Sequence, residues 1–82
     1  MNVHRGLSSA DVSVAVGKQI AQRRRELGLS LAQLSADCGV SLQQIHKYET
    51  GASAISVAML VKIARCLKVR PSELLATVDG AD

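Results

Sequence analysis

Two helix-start signatures stand eleven residues apart in this chain, and a glycine closes each of the helices they open. Ser30 and Gln33 fit a capping box, in which the cap hydroxyl and the glutamine side chain satisfy exposed amides reciprocally. Ser41 and Gln44 repeat the arrangement. Leu31, Leu34 and Cys38 share one face of the first helix, which Gly39 ends, and a second helix runs from about Leu42 to Thr50 and stops at Gly51. Two short capped helices joined by a glycine-containing turn are the local signature of a helix-turn-helix.

The flanking sequence supplies three further helices. From about Ala10 to Leu27, Val12, Val16, Ile20 and Leu27 fall near one face and Gly28 provides the stop, although Gly17 weakens the middle of the helix. Ser56 caps a fourth helix reaching about Leu67, with Val57, Leu60, Val61, Ala64 and Leu67 as its stripe and Met59, Ile63 and Cys66 broadening it. That leaves Lys62, Arg65 and Lys68 as its wet positions. Pro71 suits the first turn of a fifth helix, whose apolar positions are Leu74, Leu75 and Val78. No run alternates polar and apolar residues as a strand would. The reading is an all-α, compact five-helix domain over residues 10–78, with the helix-turn-helix at about 31–50, a flexible arm at 1–9 and a tail at 79–82.

Composition narrows the functional classes. Eighty-two residues suit one domain, and with 48% hydrophobic but 1% aromatic residues the core must be aliphatic. Sequence-tolerant single-strand binders stack bases on several rings, which a chain with Tyr48 alone does not offer. The net charge is +3, and the ten basic residues all precede Pro71, so a basic body carries an acidic tail. That suits a polyanionic partner and equally suits an ordinary soluble surface. Cys38 and Cys66 form no CxxC pair and fall on apolar positions, and His4 and His46 stand at no ligand spacing, so reduced thiols and no metal or cofactor are expected. The longest apolar run, Val57 to Val61, is far too short for a membrane span, and no signal peptide is evident, which points to a cytoplasmic protein. No Ser–His–Asp or Cys–His arrangement, phosphate-cradling glycine loop or carboxylate pair suggests an enzyme.

The helix-turn-helix span has more to it than caps. Leu34 and Ile45 are the inward residues of its two helices, Ser35 is small where they approach, Gly39 sits in the turn and Val40 plugs it. With Ile45 inward, Tyr48 and Glu49 lie on the same side at i+3 and i+4, and Gln43, Gln44 and Lys47 point out. Glutamine can read adenine bidentately and lysine can bond guanine O6 and N7. A solvated polar face is the other reading of the same residues.

From Leu34 through Gly39, Val40 and Ile45 to Tyr48–Glu49, with RELGLS (25–30) before and ISVAMLVKIARCLKVRPSELL (55–75) after, the sequence resembles the lambda-repressor-like, or Xre, family. The resemblance covers roughly Val16 to Leu75. It implies a five-helix domain whose third helix enters the DNA major groove. Base-reading positions then fall on Leu42, Gln43, Gln44 and Lys47, and phosphate or flanking contacts on Leu31, Ala32, His46, Thr50 and Ser53. Leu42 has two readings, contact with a thymine methyl or return to the core. The resemblance also implies an ion pair between Arg24, near the end of the first helix, and Glu49, whose carboxylate would be costly to bury alone.

Departures from the family pattern matter as much. Many relatives carry Gln at Leu31, Arg at Thr50, and Asn-Arg or similar at Ser53 and Ala54. Losing basic phosphate sites lowers the counterion-release contribution to affinity. Amides near the start of the second helix and around Gly51 to Ser53 remain as phosphate donors. The expectation is a transcriptional regulator that binds double-stranded DNA sequence-specifically. A short recognition helix reads few base pairs, so a homodimer on two half-sites is expected, with Leu74, Leu75 and Val78 as the candidate dimer surface and intrachain core as the other reading of Leu74. The alternative is a protein-interaction module of antitoxin or anti-repressor type, with a protein partner and weak DNA affinity.

Overall fold

Four serines open the four long helices. The computed structural model describes residues 8–79. In it α1 spans Ser9–Glu26, α2 Leu31–Cys38, α3 Leu42–Thr50 and α4 Val57–Cys66. The hydroxyls of Ser8, Ser30, Ser41 and Ser56 each accept the N–H three residues on, at 3.1, 3.0, 3.1 and 3.0 Å. Each such cap stabilises its helix by about 1 kcal/mol. At Ser30 the box is complete, because Gln33 Oε1 accepts the Ser30 N–H at 2.7 Å. The box expected at Ser41 is only half made: its hydroxyl caps the helix, and no reciprocal bond comes from Gln44. Ser8 and Ser9, read from sequence as part of the arm, instead cap and begin α1, with Asp11 Oδ2 accepting the Ser8 N–H at 3.1 Å. The spacing Ser8–Asp11 carried that signal. Residues 1–7 of the expected arm and 80–82 of the expected tail lie outside the described residues.

The same four helices end by one device. A residue in the left-handed region lets the next amide reach back five residues, satisfying a carbonyl that the helix would leave open. These bonds are Leu29 to Arg24 at 3.0 Å, Val40 to Ser35 at 3.1 Å, Ala52 to Lys47 at 2.9 Å and Val69 to Ala64 at 3.0 Å. Glycine supplies the turn after the first three helices, and Lys68, at φ 60°, supplies it after α4. The fifth helix expected from Pro71 onward is two four-residue turns, α5 at Pro71–Leu74 and α6 at Ala76–Asp79, broken at Leu75. Glu73 holds the start of α5 by accepting the Arg70 N–H at 2.8 Å.

The core is aliphatic, as the near absence of rings requires. Val16 and Ile20 of α1, Leu34 and Cys38 of α2, Ile45 of α3, and Leu60, Ile63 and Ala64 of α4 meet Leu67 and Leu74 at its centre. The inward face of α4 differs from the stripe expected. It centres on Leu60, Ile63, Ala64 and Leu67, which puts Val61 about 100° round the helix from Leu60, half-buried, and leaves Val57, the first helical residue, 78% exposed. Leu74 is core rather than surface, Val78 packs against the core, and only Leu75 of the expected dimer trio is exposed.

α1 runs unbroken through Gly17. Gly17 is the point where α1 crosses α3. A Cβ there would lie 2.3 Å from the Tyr48 carbonyl oxygen and 2.6 Å from that of Glu49. Only a residue without a side chain permits this approach.

Candidate nucleic-acid interface

The position of α3 is set by its C-terminal half. Arg24 grips Glu49 through two bonds, Nε to Oε2 at 2.6 Å and the second guanidinium nitrogen to Oε1 at 3.0 Å. Its remaining nitrogen donates to the Leu29 carbonyl at 2.9 Å, so one side chain ties together α1, the loop after it and α3. The pair expected from sequence is therefore present, with the two side chains 12% and 7% exposed. The hydrogen bond to Glu49 raises the Arg24 pKa further above its ordinary value, against the opposing effect of burial. The fork of the guanidinium fits a carboxylate as an ammonium does not. Ile45, fully buried, and the Gly17 crossing complete the anchorage.

The N-terminal end of α3 is set by the turn. The Ser35 hydroxyl donates a short hydrogen bond to the Val40 carbonyl, and the Val40 amide returns to the Ser35 carbonyl at 3.1 Å. Ser35 was singled out in sequence for its small size, and this bond is a second reason for it. Gly39, at φ 67°, makes the reversal possible. Lys62 of α4, read from sequence as merely wet, brings its ammonium beside the turn, 3.9 Å from where a Gly39 Cβ would stand. Nothing in the local sequence signals that approach, because it depends on how α4 packs against α2.

Between these two anchors the outward face is free. Leu42, Gln43, His46, Lys47 and Thr50 are exposed, and Gln44 is half-buried. Leu42 does not return to the core; it is 42% exposed. Ala32 is exposed in the first turn of α2, whereas Leu31 is half-buried and packs against the core. The Thr50 hydroxyl donates back to the Lys47 carbonyl at 3.2 Å. The amides around Gly51 to Ser53, expected as phosphate donors, are engaged in closing α3. Gly51 donates to Tyr48 at 3.2 Å, and Ala52 and Ser53 both donate to Lys47, at 2.9 and 3.3 Å. What remains are the first-turn amides of α2 and α3, at Leu31, Ala32, Leu42 and Gln43, which helix geometry leaves without intrahelical partners. They carry the positive end of each helix dipole.

Two of the three consecutive arginines Arg23, Arg24 and Arg25 are engaged in ion pairs. Arg24 is committed to Glu49, and Arg23 lies between Glu26 at 3.5 Å and Glu73 at 3.8 Å, linking α1 to α5. Arg25 is exposed. Among the described residues no group of His, Cys, Asp or Glu could hold a metal ion, and no helix is long and apolar enough to cross a membrane. A cleft of about 330 Å³ between the first turns of α1 and Ala54–Ile55 is lined by serine and aliphatic side chains without a charged group.

Known proteins share this arrangement. The helix-turn-helix family model matches residues 20–74. A helix-turn-helix-type transcriptional regulator of Sinorhizobium fredii is 41% identical over 61 residues, covering 74% of this chain and 43% of its own. A transcriptional regulator in the ATPase CF(0) region of Rhodospirillum rubrum is 45% identical over 71 residues, covering 87% of this chain and 66% of its own. The chain thus spans less than half the length of the first relative and about two thirds of the second. Among solved structures, a restriction-modification controller protein from Aeromonas hydrophila superimposes with a TM-score of 0.73 at 27% identity, over 76% of this chain and 94% of that one. The match across α1 to α5, together with the anchored third helix and its open polar face, places the chain in the lambda-repressor-like (Xre) helix-turn-helix family, a family of DNA-binding transcription regulators.

Proposed function

We propose that this domain is a sequence-specific regulator of transcription that reads duplex DNA with the outward face of α3. The observation that carries the reading is the contrast along that helix. Its last turn is pinned to α1, and Leu42, Gln43 and Lys47 stand free on the opposite side. Gln43 is suited to adenine, Lys47 to guanine, and the exposed Leu42 to a thymine methyl. Gln44, His46 and Thr50 flank them, and the first-turn amides at Leu31 and Ala32 meet phosphate. One such helix covers few base pairs, so the active form is a homodimer on half-sites centred about 34 Å apart, one turn of duplex. Leu75, exposed at the break between α5 and α6, belongs to the dimer surface.

A protein-interaction role is the second reading. It is favoured by the commitment of the 51–53 amides to α3 and by the absence of basic side chains at Thr50, Ser53 and Ala54. In vitro selection of bound duplexes, followed by mobility shifts across a salt titration, separates the two. The first reading expects an enriched symmetric site and retention that weakens with salt. Gln43→Ala and Lys47→Ala should relax preference at that site, and unchanged binding by both variants would overturn the assignment of α3. Absence of any salt-dependent retention, alongside a stable heteromeric complex, would favour the second.

A further inference from the structure

We propose, resting on the duplex-reading role above, that Lys62 of α4 is a phosphate contact at the leading end of α3. It positions the reading helix without reading a base.

The distribution of charge leaves a place for such a contact. From Thr50 to Val61 no residue is charged, so the segment that leaves α3 brings no cation to its far rim. α2 carries a single charged residue, Asp37, which is negative. The next stretch is the reverse. Between Glu49 and Glu73 stand Lys62, Arg65, Lys68 and Arg70, without one acidic residue. All four are exposed. Among the described residues the ion pairs belong to Arg23 and Arg24, and Lys62 takes part in none.

Lys62 is carried to the helix-turn-helix by the fold. α4 packs against α2, and the Lys62 ammonium stands 3.9 Å from where a Gly39 Cβ would be, over a glycine that is itself exposed. The polar groups of the turn are already committed. The Gly39 N–H goes to Ala36 and the Val40 N–H to Ser35, the Ser35 hydroxyl donates to the Val40 carbonyl, and the Ser41 hydroxyl caps α3. The ammonium, with three N–H donors and no carboxylate partner, is what the turn can offer an anion.

The turn is close to where phosphate must lie. Leu42 begins α3 three residues after Gly39. An α-helix with its side chains is about 10–12 Å across, and the major groove is about 12 Å wide. A helix that enters the groove nearly fills it, so whatever adjoins the leading end of that helix stands against a sugar–phosphate wall. Lysine suits this place: a point charge on a flexible stem follows a phosphate without demanding one geometry.

The test uses the full chain and a selected duplex, with affinity measured across a salt titration. Lys62→Gln should make the slope of log affinity against log salt shallower by about one per bound chain. The advantage of the parent over the variant should therefore shrink about threefold between about 50 and 200 mM salt. Lys62→Arg, which keeps the charge, should keep the slope. Base preference and Tm should stay as in the parent, because the side chain is exposed and unpaired. In ethylation interference, one phosphate per half-site should lose its signal in Lys62→Gln while the others keep theirs. A fall in Tm with an unchanged slope would make Lys62 a cap on the end of α2 and overturn the contact. An equal loss of slope in Lys68→Gln, just past the end of α4, would show diffuse attraction and overturn it as well. A parent chain with no salt-dependent retention would overturn the duplex reading itself. A parent that binds, beside an unchanged slope in Lys62→Gln, would overturn this contact alone.

Discussion

The two halves of α3 are built on opposite terms. Its last turn is surrounded: Glu49 is held bidentately by Arg24, the Tyr48 and Glu49 carbonyls lie against Gly17, and Gly51 lies against Val14. Its first turn sends only Ile45 into the core, and Leu42 and Gln43 stand in solvent. The difference explains how a nine-residue helix can present side chains with a fixed aim. Isolated helices of this length are marginal in water, so rigidity must come from tertiary contacts. Here those contacts are concentrated in the last turn and on the inward face, away from Leu42, Gln43 and Lys47. Substitutions at the two ends should accordingly separate into those that unfold the domain and those that leave it folded but change what it binds.

The largest expected effect is at the anchored end. Arg24→Ala takes both guanidinium bonds from Glu49, whose side chain is 7% exposed within the pair. Breaking such a pair costs about 3–5 kcal/mol, most of it from the uncompensated charge. For a domain of this size that is a fall in Tm of well over 10 °C, measurable by calorimetry. The double variant Arg24→Ala/Glu49→Ala should recover part of the loss. A wild-type Tm in Arg24→Ala would show that α3 is not held by this pair. Gly17→Ala comes next. Its methyl meets two backbone oxygens that no rotamer change can move aside, and such overpacking costs about 3 kcal/mol. The better helix propensity of alanine offsets about 1 kcal/mol of this. The net loss is smaller than for Arg24→Ala, but it is taken by displacing α3, so chemical-shift changes should reach Tyr48 and Glu49 and DNA affinity should fall with stability.

At the free end the same measurements should part company. Gln43→Ala removes an exposed side chain that no helix packs on, so Tm should stay within about 0.5 kcal/mol equivalent of the parent. Discrimination at one base pair of the selected site should fall by about 1–3 kcal/mol. A variant that loses stability and keeps its base preference would reverse the assignment of the two halves.

How much of this was legible in the sequence follows the same division. The cap at Ser30, the stop at Gly39 and the inward Ile45 are local patterns, and they emerge where expected. The Arg24–Glu49 pair was visible through family resemblance, since nothing in the spacing of residues 24 and 49 announces it. Contacts between distant helices were misread where local rules spoke against them. Gly17 looks like a defect by propensity and is a crossing point by packing. Val57 looks like core by period and is exposed because the inward face of α4 is centred elsewhere. The amides of Gly51 to Ser53, expected to face phosphate, are bonded within the chain for a subtler reason. The turn that ends α3 needs those same donors for its own last carbonyls, and a glycine at the stop was the sign of it.

The smallest expected effect lies at the edge between the two halves. Thr50 is the last residue of α3, exposed, and its hydroxyl returns only to the Lys47 carbonyl. Thr50→Arg exchanges that local bond for a mobile cation at the rim of the proposed DNA face. Stability should scarcely change, because the position is wet and the glycine stop remains. Binding should strengthen at low salt, and the slope of log affinity against log salt should steepen by about one, the signature of one added phosphate contact. Base preference should stay as it was, since a phosphate contact positions the protein without reading sequence. An unchanged slope would place Thr50 away from the duplex, and the boundary between the anchored and reading halves of α3 would then move toward Lys47.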